Sequence, residues 1–397
     1  MSASHDNSSV TSYQPPADLA RLQRRGWLFG ALGVAASLVG FALQPTQFFH
    51  SYLVAWLFWL GIAVGSLAIV MLHHLTRGGW GLMVRRSLEA ATRTLPALAI
   101  LFVPILLGMQ AIFPWARPEA ADDALIQQKA AYLNPTAFTL RGVGYLAIWA
   151  LFAFLLSWLS LKQDRTGDLA LFQRMKIVSA PGLAIYCLLA TFASVDWLMS
   201  LDPHWYSSLF GVYFIVGQVL SALAFLIVMA VYLSQREPME AVFKPLHFHD
   251  YGKLMLAFVM IWAYIAISQL LIIYSANLPE EVGWYLERSH GAWLWVSIVL
   301  GLFHFLLPFL LLLSRDLKRN AKLLSRVAVL VLVMRFVDLY WLAAPSFGHE
   351  GLAFHWLDLT TVLGVGGVWF ALFIGQLKRR PLLPIRDPFL EEALADE

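Results

Sequence analysis

Ten apolar stretches follow one another along the 397 residues, at about 26–44, 50–74, 88–111, 138–161, 177–200, 206–233, 251–275, 290–314, 321–343 and 353–377. Each approaches or exceeds the roughly 20 residues a helix needs to cross ~30 Å of hydrocarbon. The basic residues between them are sorted by side. They gather before the first stretch (Arg21, Arg24, Arg25) and between the second and third (Arg77, Arg85, Arg86, Arg93). They recur at Lys162, Arg165, Arg174 and Lys176, at Arg236, Lys244 and Lys253, from Arg315 to Arg326, and at Lys378, Arg379, Arg380 and Arg386. The opposite connections hold only Arg117, Lys129, Arg141 and Arg288. By the positive-inside rule both termini are expected in the cytoplasm. The expected fold is an all-α polytopic membrane protein with ten transmembrane helices. An integral membrane domain at 26–380 would lie between cytoplasmic tails at 1–25 and 381–397.

A hydrophobic content of 59% and a mean hydropathy of +0.67 agree with that class. No connection is long enough to fold into a soluble domain with its own substrate site, so any chemistry must occur in the membrane or on a partner. The net charge of +3 follows from topology and predicts no nucleic-acid partner. Residues 1–20 lack an apolar core, so no cleavable signal peptide is expected. The single cysteine, Cys187 in the fifth stretch, argues against a disulfide, an iron–sulfur cluster held by this chain, or c-type haem attachment. His290 and His304 could suit two stacked haems, but no second stretch offers histidines at matching depths. Walker A, HExxH and dinucleotide motifs are also missing. No catalytic, cofactor-binding or metal-ligating residue is therefore expected in this chain.

A weak repeat runs through the sequence. Gly61-xxx-Gly65-Ser-Leu-Ala in the second stretch matches Gly217-xxx-Ser221-Ala-Leu-Ala in the sixth, and Val195-Asp196-Trp197 in the fifth matches Val337-Asp338-Leu339 in the ninth. The matched stretches point the same way, which predicts two parallel four-helix bundles, about 50–200 and 206–343, with stretches 26–44 and 353–377 flanking. Small residues that simply recur in packed helices would give the same pattern, and Gly61 and Gly65 read as packing residues. The outer connection at 112–137 is long enough for a small helix or cap.

Ionisable residues at membrane depth are the default functional candidates, because each costs several kcal/mol or more unless paired or hydrated. Toward the outer face lie Asp196, Arg335, Asp338 and Asp358. Toward the inner face lie His73, Glu89, Arg93, His249, Asp250 and Lys253. Between them sit His304, Tyr264, Ser268 and Gln269. Carboxylates and imidazoles exchange protons while hydroxyls and amides hold linking waters, so these residues are candidates for a proton pathway. Arg335 with Asp338 and Glu89 with Arg93 also suit plain local ion pairs.

Five segments carry a family resemblance: SYLVAWLFWLGIAVGSLAIVMLHHLTRGGWG (51–81), RRSLEAATRTLPALAILFVPILLG (85–108), SVDWLMSLDPHWYSSLFGVY (194–213), HDYGKLMLAFVMIWAYIAISQLLIIYSANLPEE (249–281) and WLWVSIVLGLFHFLLPFLLLLSRDLKR (293–319). Together they resemble the ActF-type integral membrane subunits of bacterial alternative complex III, a quinol:cytochrome c oxidoreductase, within the NrfD/PsrC-like proteins. The resemblance implies a multi-pass subunit of the bacterial cytoplasmic membrane. It implies c-type haems and iron–sulfur clusters on partner subunits and quinol in an ActC-like sister subunit. Implied partners are that sister, an iron–sulfur subunit, pentahaem and monohaem cytochromes c, other small membrane subunits, lipids and a terminal cytochrome c oxidase.

The resulting expectation is a cofactor-free subunit, not catalytic alone, that provides a proton pathway and supports assembly. The alternatives are a purely structural anchor and a quinol-binding subunit in its own right. A free-standing transporter is disfavoured, since nothing reads as a broken-helix substrate site.

Overall fold

The computed structural model describes residues 13–348 and 354–395. Residues 1–12 of the expected N-terminal tail, residue 353 of the tenth apolar stretch and residues 396–397 of the C-terminal tail lie outside that range. Among the described residues every regular element is helical, and ten helices are long and apolar enough to cross a membrane. They are α1 (Asp18–Leu43), α2 (Pro45–Thr76), α3 (Arg85–Leu107), α4 (Pro135–Thr166), α5 (Leu169–Leu201), α6 (Phe210–Leu233), α7 (Pro245–Ala276), α8 (Gly291–Leu313), α9 (Ala321–Phe347) and α10 (Trp356–Leu377).

Local chemistry sets the ends of these helices. Asn134 accepts the Ala137 amide at 2.8 Å and starts α4, with Pro135 at the first helical position. Gly167, at φ 68°, ends that helix. The Asp168 carboxylate then accepts the Ala170 amide at 2.8 Å and starts α5. Two residues thus reverse the chain. Several helices outrun their apolar stretches: α1 begins at Asp18 because Arg21, Arg24 and Arg25 extend the backbone ladder as well as any apolar residue would. The connection at 112–137 holds two 3₁₀ turns and the short helix Ala124–Gln128.

Two helices are irregular, and proline explains both. α3 breaks into Arg85–Thr92, Leu95–Ile100 and Val103–Leu107, with Pro96 and Pro104 opening the later pieces. The Phe102 amide turns back to Ala99 O and the Ile105 amide to Phe102 O, which frees the carbonyls of Leu98 and Leu101. Trp56 Nε1 donates to the first at 2.9 Å and Tyr52 Oη to the second at 2.7 Å. Within a bilayer a freed carbonyl must find such a partner. α8 widens into a π-helical segment, Leu300–Leu306. Pro308 follows, and it can offer no amide to the carbonyl of His304.

α2 and α6 lie at the centre. In their most apolar stretches 94% and 89% of residues are buried, against 28% in α1 and 22% in α8, so only the first two are enclosed all round. α2 packs on α3, α5, α6 and α10; α6 packs on α5, α7 and α9; α4 lies between α3 and α5, and α8 between α7 and α9.

The most extensive helix pair joins α1 to α10. Gly26, Gly30 and Gly33 present bare backbone to Ala371, Val368 and Gly364, and small residues permit this approach where no hydrophobic effect drives association. A Cβ on Gly33 would collide with the Gly364 backbone, whereas one on Gly144 would meet nothing within 4 Å. Gly33→Leu is expected to destabilise the protein by about 1–3 kcal/mol or more through overpacking. A lower melting temperature in detergent than for Gly144→Leu would show it, and equal values would contradict the packing assignment.

Candidate functional site

Charged residues at depth fall into separate networks. The first joins α3, α4 and the segment after α10. Arg85 donates to Glu89 at 3.1 Å, to Ser160 at 3.0 Å and to Asp387 at 2.7 Å. Arg86 donates to Glu89 at 2.6 Å, to Ser160 at 2.9 Å and to Asp164. Arg380 lies 3.7 Å from Glu89 and donates to Ser157 at 2.9 Å. The partners of Glu89 are therefore chiefly Arg85 and Arg86 rather than Arg93, whose guanidinium reaches Ser157 at 3.4 Å. Charge pairing and geometry make this network a lock holding the C-terminal segment against the helices.

The second network sits where α4 begins and α5 ends. Arg141 grips Asp196 with two hydrogen bonds of 2.9 and 2.8 Å, and Tyr145 donates to the same carboxylate at 2.8 Å. Arg141 thus belongs to a helix and not to a connection. Asp358 has a third setting: it accepts the Ser51 hydroxyl at 2.6 Å and the His355 amide at 2.8 Å, capping α10 and tying it to α2.

The third network is the deepest and runs between α5, α6 and α9. Asp338, wholly buried, pairs with Arg335 and accepts Tyr213 Oη at 2.5 Å and Trp262 Nε1 at 3.4 Å. Arg335 Nε donates to Ser221 at 3.4 Å. Its guanidinium fills the space left by Gly217, where any Cβ would strike it. One turn along α6, Gln218 accepts Tyr186 Oη of α5 at 2.9 Å, while its own Nε2 is buried without a partner. Two turns inward on α5, Ser179 is hydrogen bonded to His74 Nδ1 at 2.9 Å. The pairs His74–Ser179 and Tyr186–Gln218 and the group Ser221–Arg335–Asp338–Tyr213 therefore follow one another as a polar string across α2, α5, α6 and α9, with the Ser221 hydroxyl donating to the Gly217 carbonyl at 2.9 Å rather than to Gln218. The step from Ser179 to Tyr186, about 10 Å along the helix, exceeds hydrogen-bond reach, so a proton crossing it needs water between the helices.

His304 stands beside this string. It is fully buried in the π-helical segment, its ring edge-on to Trp262 at 4.0 Å, and neither imidazole nitrogen has a partner. His73 is buried against Trp80 and the Gly78 carbonyl. Neither a protein-family model nor a curated protein sequence matches this chain. The chemistry therefore rests on the residues themselves.

The remaining candidates lie elsewhere. Asp250 and Lys253 pair at 3.1 Å near the start of α7, with His249 alongside. Tyr264 is 70% exposed on the outer surface of α7, away from the string. Ser268 is half-buried, and Gln269 is buried on the far side of α7 from Tyr264. The sequence reading did not single out Arg85, Arg86, Asp164, Asp387, Tyr145, Ser179, Tyr186, Tyr213, Gln218 or Ser221. The repeat gave the one available signal, since Gly217 and Ser221 flank Arg335.

Breaking a buried pair by removing one partner costs about 3–5 kcal/mol. Asp387→Ala is expected to lose stability on that scale and to release the segment after α10 to protease. Wild-type stability and protection would show that Arg85 does not depend on this carboxylate.

Proposed function

We propose that this chain is a cofactor-free membrane subunit of a quinol-oxidising respiratory complex of the alternative complex III type, and that it carries protons along the string from His74 to Asp338 and Tyr213. The observation that carries the reading is the wholly buried Arg335–Asp338 pair, with Ser221 of α6 on Arg335 and, one turn away on the same helix, Gln218 on Tyr186. An isolated ion pair would neutralise itself and stop there. Here hydroxyl and amide groups follow it along α6 and α5, at depths where polar groups are costly.

The helix neighbours support a grouping into two four-helix bundles, α2–α5 and α6–α9, flanked by α1 and α10. The string then crosses the contact between bundles, and the Arg141–Asp196 cluster is its counterpart in the first bundle. With both termini cytoplasmic, His74 lies on the uptake side and Asp338 on the release side. Energy would come from a neighbouring redox subunit through conformational or electrostatic coupling. The Arg85–Glu89–Asp387 network serves assembly, which is the scaffold reading confined to one part of the molecule.

Complexes carrying Asp338→Asn or Tyr186→Phe, reconstituted in vesicles, are expected to release fewer protons per electron while still assembling. Unchanged stoichiometry in both variants would leave the structural role alone. Asp387→Ala separates the two roles, because it is expected to lower yield without altering the stoichiometry of the complex that forms.

A further inference from the structure

Where α3, α4 and the end of α10 meet at the inner end of the molecule, the charges do not balance. Five arginines gather there, Arg85, Arg86, Arg93, Arg379 and Arg380, against three carboxylates, Glu89, Asp164 and Asp387. Arg85, Arg86 and Arg380 take up those carboxylates. Among the described residues Arg93 and Arg379 form no ion pair: Arg93 reaches the Ser157 hydroxyl at 3.4 Å, and Arg379 is exposed. Their like charges are close enough to act on each other. An anion placed between them would remove that repulsion and meet both guanidiniums.

The surroundings indicate what kind of anion. Arg93 and Arg380 line a cleft between α3 and the end of α10, with Ala90 and Leu377 between them. The cleft is too narrow to enclose a headgroup, so an anion would rest across its rim. From Arg93, α3 continues through Pro96, Ile100, Val103 and Leu107, all exposed, at steps of three or four residues. These residues belong to a helix long and apolar enough to cross a membrane, so the stripe faces lipid. On α4, Trp158 follows Ser157, is 49% exposed and carries the Lys162 ammonium 5.2 Å over its ring. Exposed tryptophan at a basic helix end marks the headgroup level of a bilayer. A soluble anion would use the arginines and leave the stripe bare. A phospholipid uses both, and a zwitterionic one would bring a further cation into a cluster already rich in them.

We propose that this rim binds an anionic phospholipid, its phosphate bridging Arg93 of α3 and Arg379 beyond α10 and one acyl chain lying along Ile100, Val103 and Leu107. Basic pockets between membrane helices hold anionic headgroups in this way. The lipid supplies the negative charge that the cluster lacks. It also joins α3 to the C-terminal segment from outside, as Asp387 joins them from within. The site depends neither on proton conduction by the buried string nor on the complex that holds the chain.

The test is equilibrium binding of radiolabelled dioleoylphosphatidylglycerol to the full chain in dodecyl maltoside micelles. Saturable binding is expected, displaced far more readily by unlabelled phosphatidylglycerol than by dioleoylphosphatidylcholine. A basic residue beside an anionic headgroup is worth about a fivefold change in affinity. Arg379→Gln, at an exposed position without an ion pair, should therefore weaken binding about fivefold at unchanged melting temperature, and Arg93→Gln with Arg379→Gln about 25-fold. Arg315→Gln with Arg319→Gln removes the same charge from exposed positions between α8 and α9 and should leave binding nearly unchanged, because distant surface charges are screened. Equal losses in the two double variants, or equal displacement by the two lipids, would overturn the proposal. Displacement by millimolar sn-glycerol 3-phosphate would also overturn it, since the cluster would then be a site for free phosphate.

Discussion

The close approach of α2 to α6 positions nearly everything polar at depth. Gly65 of α2 lies against the Gln218 carbonyl of α6, with no room for a Cβ. Lipid offers no hydrophobic drive for such a contact, so small residues and close packing must supply it. With α6 held there, Gln218 faces Tyr186 of α5 and the next turn presents Ser221 to Arg335 of α9. Gly217, on the same helix, makes the volume that the Arg335 guanidinium fills. One small-residue pattern thus performs two jobs: a tight helix crossing at Gly65 and a chamber for a buried cation at Gly217.

The buried charges divide by what surrounds them. Arg85, Arg86 and Arg380 share Glu89, Asp164 and Asp387, and they also donate to Ser157, Ser160 and the Met175 sulfur within the same cluster. That closed arrangement resists rearrangement and suits a joint between segments far apart in sequence. Arg335 and Asp338 are bonded instead to the hydroxyls of Ser221 and Tyr213. Two pairs of the same chemistry therefore differ in their surroundings, one shared among several charged partners and the other among hydroxyls and an indole.

The ten helices were legible in the sequence because hydropathy over about 20 residues is a local property. Their ends were less so: Asn134 caps α4 at Pro135, and α1 runs back to Asp18 through three arginines, neither of which hydropathy registers. The depth of Asp196, Asp338 and His304 could be read from position in a stretch, and the i, i+3 spacing of Arg335 and Asp338 gave that pair directly. Partners on other helices could not be read. Arg141 finds Asp196, Tyr213 finds Asp338 and Arg85 finds Asp387 only once the helices are arranged, at separations of 55, 125 and 302 residues. Orientation around a helix was equally hidden in so uniformly apolar a chain. Tyr264 and Gln269 share one stretch of α7, yet one faces out and the other lines an aromatic cavity between α7 and α8.

The π-helical segment of α8 links the features that sequence periodicity obscured. Pro308 leaves the His304 carbonyl without its usual amide, and the backbone responds by widening over Leu300–Leu306. A wider turn shifts the register of every side chain beyond it. His304 is thereby carried inward onto Trp262, while Leu300, Gly301 and Phe305 of the same segment line the cavity. Trp262 touches both, since it also donates to Asp338. A single indole therefore stands between the unpaired imidazole, the buried carboxylate and the aromatic cavity. A change in any one of the three would press first on that ring.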